Sequence, residues 1–329
     1  MLPPERAQLR GDRLMASIDG IKLIDATIRD GGLVNDFYFT DEFVKNVYVA
    51  NIASGVDYME FGYRADKKQF DPQKFGKWKF ASDEDIRSIV GDNPTNMKIC
   101  IMADVGRCDY KNDIHPRPES PVDLIRVATY IETIPEAIRM IEYAASLGYE
   151  TTCNLMAVSK CTMGQVSDAL DALAKSPIMG AYIVDSFGAL YPKQIRKLTR
   201  LYHDKLAPAG KLVGIHAHNN QQNAFANTIE AKDMGAKLLD ATAYGMGRGA
   251  GNCHMEALLG YFNGKKYHIE PALDLVRYCM LPLREQVEWG YNTAYLITGL
   301  TNQHPRDAIG ATKVKNVDFR EQYRYHAYE

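Results

Sequence analysis

The sequence lacks the long apolar runs and the charge excess that mark membrane proteins and nucleic-acid binders. No apolar run approaches the roughly 18 residues that a membrane-spanning helix needs. The formal net charge of the 329 residues is -2, which leaves no basic surplus to attract nucleic acid or an anionic membrane surface. We therefore expect neither nucleic acid nor a membrane as a partner.

Closely spaced cysteine pairs are also missing. The six cysteines are scattered along the chain, and none of them forms a C-x-x-C pair. This argues against structural zinc and against a disulfide framework, so free thiols in a reducing compartment are the default. The first six residues carry charges and prolines where a signal peptide would have an apolar segment. We expect a cytoplasmic protein.

The sequence does contain a regular alternation of strand-like and helical segments. Hydrophobic residues make up 46% of the chain, which is enough for a large core. Segments of helical period begin at caps such as Thr40 and at a predicted capping box of Thr133 and Glu136. A further helix is expected to begin at Asn219 or Asn220. Eight short β-rich runs separate these segments, at 22–26, 58–62, 97–103, 123–128, 150–156, 181–185, 211–216 and 238–244.

Strands that alternate with helices imply a parallel sheet. Eight such units between residues 18 and 264 match the size of a (β/α)8 TIM barrel, so the predicted fold class is α/β. A doubly wound open sheet is the alternative. Residues 1–17 are expected to form a loose N-terminal arm. Residues 265–329 are expected to form a helical C-terminal extension packed on the barrel, with helices over 271–281 and 283–300.

Polar residues gather at the predicted carboxyl ends of the strands, the edge at which TIM barrels carry their chemistry. Buried parallel strands are otherwise continuously apolar. The residues are Arg29, Asp30, Glu60, Arg64, Asp104, Arg126, Asn154, Asp185, His216 and His218. We expect a site at this edge, with Asp104, Asn154 and Asp185 in contact with substrate. Arg64 and Arg126 would bind a carboxylate or phosphate if they face its mouth.

The most informative pattern is the pair His216 and His218 at the end of an apolar run. In an extended strand, residues i and i+2 project from the same face, so both imidazoles can point to one side. Two neutral imidazoles and one carboxylate nearly complete an open catalytic metal site. Asn252, after a glycine-rich turn, can offer a side-chain carbonyl to the same metal.

That glycine-rich turn, residues 245–250, formally matches the G-x-G-x-x-A dinucleotide fingerprint. No further strand–helix unit follows it to form the other half of a nucleotide-binding fold, so we reject that interpretation. A close approach of the backbone at Gly249 to a phosphate or carboxylate of the ligand explains the glycines better.

Three motifs together resemble the DRE-TIM metallolyases. They are D-A-T-I-R-D-G at 25–31, H-A-H-N at 216–219 and G-R-G-A-G-N at 247–252. This superfamily includes HMG-CoA lyase, isopropylmalate synthase and the 4-hydroxy-2-oxoacid aldolases. The resemblance spans about residues 21–263 and implies a TIM barrel.

The resemblance also implies roles for individual residues. Asp30, His216 and His218 would hold a divalent metal (Mn, Mg, Zn or Co). In the lyase branch, the asparagine that matches Asn252 is a further ligand. Arg29 would stabilise an enolate, and Glu60 would orient Arg29.

The segment 289–295 is similar to a C-terminal helical segment of the hydroxyoxoacid aldolases, in which a tyrosine reaches back to the active site. Tyr295 is the preferred match and Tyr291 is the second choice. Because the chain has 20 tyrosines, a packing role for both stays open.

One position departs from the aldolase pattern. These enzymes carry a histidine general base where this chain has Leu33. The proton-transfer residue therefore cannot be carried over from the resemblance. His254, Asp104, Tyr63 and a metal-bound hydroxide are the open substitutes.

These observations predict a divalent-metal-dependent carbon–carbon lyase of the aldolase type. It would act through the enolate of a pyruvate-type 2-oxo acid, with an aldehyde as the second reactant. We expect a homo-oligomer. One alternative is an acyl-CoA-dependent lyase or Claisen-type synthase of the same superfamily. The other is a barrel that has lost catalysis and serves as a binding or scaffold protein.

Overall fold

A computed structural model of the chain describes residues 18–312 and 317–328. Eight strands form a closed barrel in chain order. All neighbouring strands are parallel, and the pairing of Lys22 with Leu238 joins the last strand to the first. The strands are β1 (Lys22–Asp25), β2 (Tyr58–Tyr63), β3 (Lys98–Asp104), β4 (Leu124–Thr129), β5 (Glu150–Leu155), β6 (Gly180–Asp185), β7 (Leu212–Ala217) and β8 (Leu238–Ala241). The predicted (β/α)8 barrel is confirmed.

Helices cover the outside of the barrel and continue past its last strand. The α-helices are Thr27–Gly31, Asp41–Ser54, Asp83–Val90, Tyr110–Asp113, Ile134–Ser146, Met163–Lys175, Pro192–Leu206, Ala224–Asp233, Met255–Tyr261, Glu270–Leu275, Leu281–Arg284, Thr293–Leu300, Arg306–Thr312 and Phe319–Tyr328, and Val276–Met280 is a π-helix. Short 3-10 turns occupy Lys77–Lys79, Arg117–Glu119, Ile131–Thr133, Val158–Lys160, Ala207–Ala209 and Ala243–Gly245. No helix in the described parts of the chain is long and apolar enough to cross a membrane.

A predicted N-cap forms at Thr40, whereas two other predicted helix starts differ in the structure. The Oγ1 atom of Thr40 accepts a hydrogen bond from the Phe43 backbone, as expected for an N-cap. The predicted capping box at Thr133 does not form, because the 3-10 turn Ile131–Thr133 holds its hydroxyl near the Tyr130 carbonyl. The helix expected at Asn219 or Asn220 begins instead at Ala224.

The C-terminal helices also differ from the prediction. A continuous helix over 283–300 was expected, but the chain leaves helical geometry between Arg284 and Thr293. Gly290 has a φ of 105°, which an α-helix cannot contain, and the Asn292 side chain caps the next helix by accepting from the Ala294 backbone at 2.9 Å.

The C-terminal segment packs on the barrel. The His268 backbone donates to the Ser54 carbonyl at 3.1 Å, and the Trp289 indole donates to the Tyr244 carbonyl at 3.1 Å. The boundary at residues 264 and 265 stays a prediction, and the predicted arm over 1–17 lies outside the described residues.

The barrel interior has two layers that decide where chemistry can occur. Toward the amino-terminal ends of the strands lies an apolar cluster that includes Ile24, Tyr58, Leu124 and Leu238. Further along β2, β4 and β8, the side chains of Glu60, Arg126 and Asp240 are polar and buried. The main hydrophobic core lies outside the strands, between them and the helices. The polar layer therefore rests on an apolar floor and opens at the carboxyl ends of the strands.

Candidate active site and metal centre

The three predicted metal ligands converge at the carboxyl-terminal end of the barrel. The helix Thr27–Gly31 follows β1 directly and presents Asp30, while β7 presents His216 and leads into His218. The Oδ2 atom of Asp30 lies 3.0 Å from His216 Nε2 and 3.9 Å from His218 Nε2. One ligand atom from each residue lies within 4.8 Å of the other two, and all three side chains are buried. This is a separation that one cation can bridge.

The outer contacts of both imidazoles leave the inner nitrogens for a metal. His218 Nδ1 lies 3.1 Å from the Asp185 carbonyl, and His216 Nδ1 lies 3.0 Å from the carboxylate of Asp240. Such contacts fix the ring and direct the other nitrogen at the metal. Burial lowers the pKa of His218 to about 3, so this ring is neutral and its free nitrogen can bind a cation.

Asn252 is the fourth predicted ligand. Its Nδ2 donates to the Met246 carbonyl at 3.2 Å, whereas its Oδ1 is buried and has no hydrogen-bond partner among the described residues. A Cβ on Gly247 would come within 2.2 Å of the Asn252 amide and 3.0 Å of the Asp30 carboxylate, so both groups lie against this glycine. An unpartnered amide oxygen beside a carboxylate and two imidazoles fits a divalent cation.

A closed polar network of six buried side chains holds the site together. Its contacts are Arg29 Nη1 to Asp30 Oδ2 (2.6 Å), Asp30 Oδ2 to His216 Nε2 (3.0 Å), His216 Nδ1 to Asp240 Oδ2 (3.0 Å), Arg126 Nη2 to Asp240 Oδ2 (2.5 Å), Arg126 Nη1 to Glu60 Oε2 (2.9 Å) and Arg29 Nε to Glu60 Oε2 (2.7 Å). Each cation therefore contacts two carboxylates, which offsets the cost of burying these charges.

The electrostatics of the network keep the key groups ionised. Burial alone would raise the pKa of Asp30, but Arg29 and the two histidines lower it well below its usual range. Burial would lower the pKa of Arg29, yet Glu60 and Asp30 raise it, so the guanidinium stays charged. The site thus offers a carboxylate ligand and a fixed cation side by side.

A cavity of about 120 Å³ opens onto this arrangement. Of the residues predicted from sequence, the ones that line it are Arg29, Asp30, Asp104, Asn154, His216 and His218. The Oδ1 atoms of Asp104 and Asn154 are buried, and neither finds a hydrogen-bond partner within residues 18–312 and 317–328. Both are therefore available to a ligand in the cavity.

Neither arginine expected at the mouth lies in this cavity. Arg64 is paired with Asp83 and with the Ala81 carbonyl, and it borders a different surface pocket. Arg126 is fully buried inside the barrel, where its guanidinium stacks 4.5 Å from the centre of the Tyr182 ring. The condition that they face the mouth is not met, because both charges are satisfied by protein carboxylates.

Three other predicted residues support the site from outside the cavity. Glu60 contacts Arg29, as the resemblance implies, and takes part in the polar network. The carboxylate of Asp185 accepts from the backbone of Ala189 at 3.0 Å, while its carbonyl contacts His218. Gly249 has a φ of 66°, and a Cβ there would meet the Tyr295 ring at 3.3 Å. The close approach at Gly249 is made by this tyrosine.

The two candidate tyrosines and His254 lie in three different environments. Tyr295 packs on the glycine-rich loop, and its carbonyl accepts from the Asn220 side chain at 3.1 Å. Tyr291 is 54% exposed. The ring of His254 packs against Gly245, and His254 is not among the residues that line the cavity. Tyr63, by contrast, lines the cavity.

Sequence reasoning missed three residues of this region. Asp240 interrupts an apolar strand, and that interruption was a usable signal. Arg248 is part of the G-R-G motif, and its backbone donates to Asp30 Oδ1 at 3.2 Å. Lys79 lines the cavity although its sequence surroundings do not distinguish it from a surface lysine.

Known proteins are similar in sequence to this chain over most of its length. The sequence matches the HMGL-like family over residues 20–281. It is 30% identical over 276 residues to the 4-hydroxy-2-oxovalerate aldolase of Pectobacterium atrosepticum, covering 83% of this chain and 77% of that enzyme. It is also 29% identical over 260 residues to the oxaloacetate decarboxylase of Mycobacterium tuberculosis, covering 78% of this chain and 73% of that enzyme.

A solved structure extends the similarity to the fold. The N-terminal domain of an inferred aldolase from Bacteroides vulgatus superimposes with a TM-score of 0.76 at 28% sequence identity, covering 90% of this chain and 97% of that domain. The enzyme class predicted from the sequence, a carbon–carbon lyase, is confirmed by the aldolase relatives, and the fold agrees with it. The chain belongs to the HMGL-like family, the DRE-TIM group that its three motifs indicated.

Proposed function

We propose that this chain is a divalent-metal-dependent aldolase that makes or breaks a carbon–carbon bond beside the carbonyl of a pyruvate-type 2-oxo acid. The observation that carries the proposal is the convergence of Asp30, His216 and His218 next to the buried cation Arg29. The names of the aldolase relatives support the same reaction class. Asp30, His216, His218 and Asn252 would hold a divalent cation, which would supply Lewis-acid stabilisation of the negative charge that develops on the 2-oxo acid.

Arg29 is the protein's own group for the enolate oxygen. Its guanidinium borders the cavity, and contacts with Glu60 and Asp30 hold it in one orientation. A preorganised cation stabilises the negative charge that develops on the oxygen without having to reorient during the reaction. Arg248, which also lines the cavity, is suited to the carboxylate of the 2-oxo acid.

Asp104 is our choice for proton transfer at the carbon beside the carbonyl. Its side chain lines the cavity, and burial raises the pKa of its carboxyl. A carboxyl whose pKa is raised is better matched to proton exchange near neutral pH. Tyr63 also lines the cavity, but burial raises the pKa of its hydroxyl further, so it can donate a proton and cannot abstract one.

The test is deuterium exchange into the methyl group of pyruvate, followed by NMR with protein loaded in turn with Mn, Mg, Zn or Co. Acetyl-CoA is the parallel substrate, and H218A is the matched control that lacks one ligand. We expect exchange into pyruvate by the loaded wild type and none by H218A.

Other outcomes would refute the proposal. Exchange into acetyl-CoA alone would favour the acyl-CoA branch of the family. Protein that binds none of the four metals and exchanges neither substrate would favour a barrel without catalysis.

A further inference from the structure

Lys79 is a buried cation in the wall of the active-site cavity. The turn Lys77–Lys79 carries it there, and only 8% of the residue is exposed. Its ammonium group makes no hydrogen bond or ion pair with any residue that the structure describes. Buried charges are normally paired, so an unpaired lysine facing a cavity needs an explanation.

Aromatic rings surround the ammonium group of Lys79. Its Nζ lies 4.3 Å from the centre of the Phe70 ring, 4.6 Å from Tyr63, 5.0 Å from Phe37 and 5.7 Å from Phe75. Ring faces attract a cation but accept no strong hydrogen bond from it. We call these four rings the aromatic box. The box holds the cation in place and leaves its N–H donors for a ligand.

The loop that follows the first sequence motif helps to build this box. Phe37 packs tightly against two glycines. A Cβ on Gly32 would lie 2.1 Å from the Phe37 ring, and a Cβ on Gly76 would lie 2.0 Å from the Phe37 carbonyl oxygen. The same loop carries Leu33, at the position where the resembling aldolases have a histidine base. In this chain the loop therefore contributes a ring to the aromatic box around the Lys79 ammonium group.

The charges around the cavity leave a positive excess. Five cations line it, against two carboxylates. They are Arg29, Lys79, Arg107, Arg248 and Arg306. Burial lowers the pKa of Lys79 while the carboxylate of Asp104 raises it, and an anion in the cavity would favour the charged ammonium further.

The position of Lys79 separates it from the groups that would hold the 2-oxo acid. No hydrogen bond or ion pair joins it to the candidate metal ligands among the described residues. Its Nζ lies 4.6 Å from the centre of the Tyr63 ring, and the charge of Arg29 acts on the Tyr63 hydroxyl. An anion bound at Lys79 is therefore a second anionic group, in addition to the carboxylate of the 2-oxo acid.

We propose that Lys79 binds the anionic head, a carboxylate or a phosphate, of the aldehyde that reacts with the enolate, so that the chain selects anionic aldehydes over neutral ones. This inference rests on the aldolase function proposed above. In the reaction, the methyl group of the 2-oxo acid loses a proton to give the enolate. The C=C π electrons of the enolate then form the bond to the aldehyde carbon, and the ketone is restored. The carbonyl π electrons move to the aldehyde oxygen, which takes up a proton to become a hydroxyl, and the anionic head is unchanged.

The experiment compares two matched pairs of aldehydes with pyruvate and metal-loaded enzyme. Succinic semialdehyde is paired with butanal to test a carboxylate, and glycolaldehyde phosphate is paired with glycolaldehyde to test a phosphate. The variants are K79M, whose thioether suits an aromatic box, and K79R, which keeps the charge. K79Q replaces K79M if thermal melting shows that K79M is unfolded.

We expect the wild type to prefer one anionic aldehyde over its neutral partner by at least about tenfold in kcat/KM, in line with a charge-assisted contact. K79M should remove this preference, and K79R should restore part of it. Turnover of neutral aldehydes and deuterium exchange into pyruvate should change by less than about threefold in K79R, which keeps the positive charge that acts on the carboxylate of Asp104. For K79M, the charged and neutral aldehydes are compared within the variant, because loss of this charge also raises the pKa of Asp104.

Equal kcat/KM values for charged and neutral aldehydes in the wild type would overturn the inference, as would a preference that survives in K79M. Loss of pyruvate exchange in K79R, which keeps the charge, would also overturn it, since Lys79 would then serve the enolate step. Deuterium exchange into pyruvate by the wild type, without selectivity for anionic aldehydes, would refute this inference alone. If the wild type exchanges no deuterium into pyruvate with any of the four metals, the aldolase proposal is refuted together with this inference.

Discussion

The Nδ1 atom of His216 lies 3.0 Å from Oδ2 of Asp240, on the side of the ring opposite Asp30. This contact orients the imidazole and makes Asp240 a positioning residue for the metal centre. Removing such a partner typically weakens metal affinity by 10- to 100-fold. We expect this loss in D240N, measured as the dissociation constant for Zn or Mn by calorimetric titration. D57N, which removes a carboxylate from the opposite end of the barrel, should bind metal as the wild type does.

Substitution of the metal ligands should abolish metal binding. D30N, H216A and H218A each remove one of the three ligand atoms that lie within 4.8 Å of one another. We expect bound metal, measured by elemental analysis after dialysis, to fall from about one ion per chain to less than a tenth of that. H254A is the control, because His254 lies outside the cavity. Full metal content in H218A would show that the ion binds elsewhere.

Arg29→Ala should nearly abolish catalysis while the metal stays bound. Loss of one preorganised donor to a developing oxyanion typically lowers the rate by about 10²- to 10³-fold. The measurement is deuterium exchange into pyruvate, with metal content determined on the same sample. R139A, which removes an exposed arginine on an outer helix, is the matched control. An exchange rate in R29A within tenfold of the wild type would contradict the role assigned to Arg29.

The two candidate tyrosines can be separated by removing one hydroxyl at a time. If the Tyr295 hydroxyl reaches back to the active site, as the sequence resemblance implies, and donates to a reacting oxygen there, Y295F should lower aldol turnover by about 10²-fold. Y291F should retain turnover within about twofold, because Tyr291 is mostly exposed. Steady-state kinetics with pyruvate and an aldehyde give both values. Equal, small effects in both variants would assign both rings to packing.

Asp25 makes the stability of the fold depend on pH. Burial raises the pKa of this carboxyl to about 6, although hydrogen bonds from Thr27 lower it. Between its unfolded pKa of about 3.9 and pH 6, the unfolded chain ionises Asp25 while the native chain keeps it protonated. Its contribution to stability is therefore complete below about pH 4 and is lost as the pH rises to 6.

The Asp25→Asn variant tests this dependence because an amide does not titrate. We expect the free energy of unfolding of D25N, measured relative to that of the wild type, to increase by up to about 3 kcal/mol between pH 4 and pH 6.5. Urea unfolding at a series of pH values measures the difference. A difference that stays constant over this range would mean that Asp25 titrates at the same pH in both states.

The fold could be predicted, and candidate metal ligands could be chosen, because their signals are local. Each strand and each helix shows its own period over a few residues, and the alternation of eight pairs indicates a barrel. His216 and His218 share a face because strand geometry repeats every two residues. Their partnership with Asp30 came from motifs that resemble a known family.

Other local signals failed where a competing contact was stronger. Thr133 looked like the start of a capping box, but a turn over the preceding residues holds its hydroxyl near Tyr130. Arg126 looked like a residue of the cavity mouth, because sequence places it on a strand but cannot say how far along the barrel axis its guanidinium lies. Inside the barrel it meets Glu60 and Asp240, which are remote from it in sequence.

The sequence by itself determined the order of strands and helices and the chemical types of the candidate metal ligands, because both follow from short-range periodicity and from motifs. Only the tertiary structure decided that Asp240 orients His216, that Arg126 is buried below the cavity, and that Lys79 lies unpaired in a box of aromatic rings. These relationships depend on barrel closure, which brings side chains from distant strands and loops into contact, and no local pattern encodes those contacts.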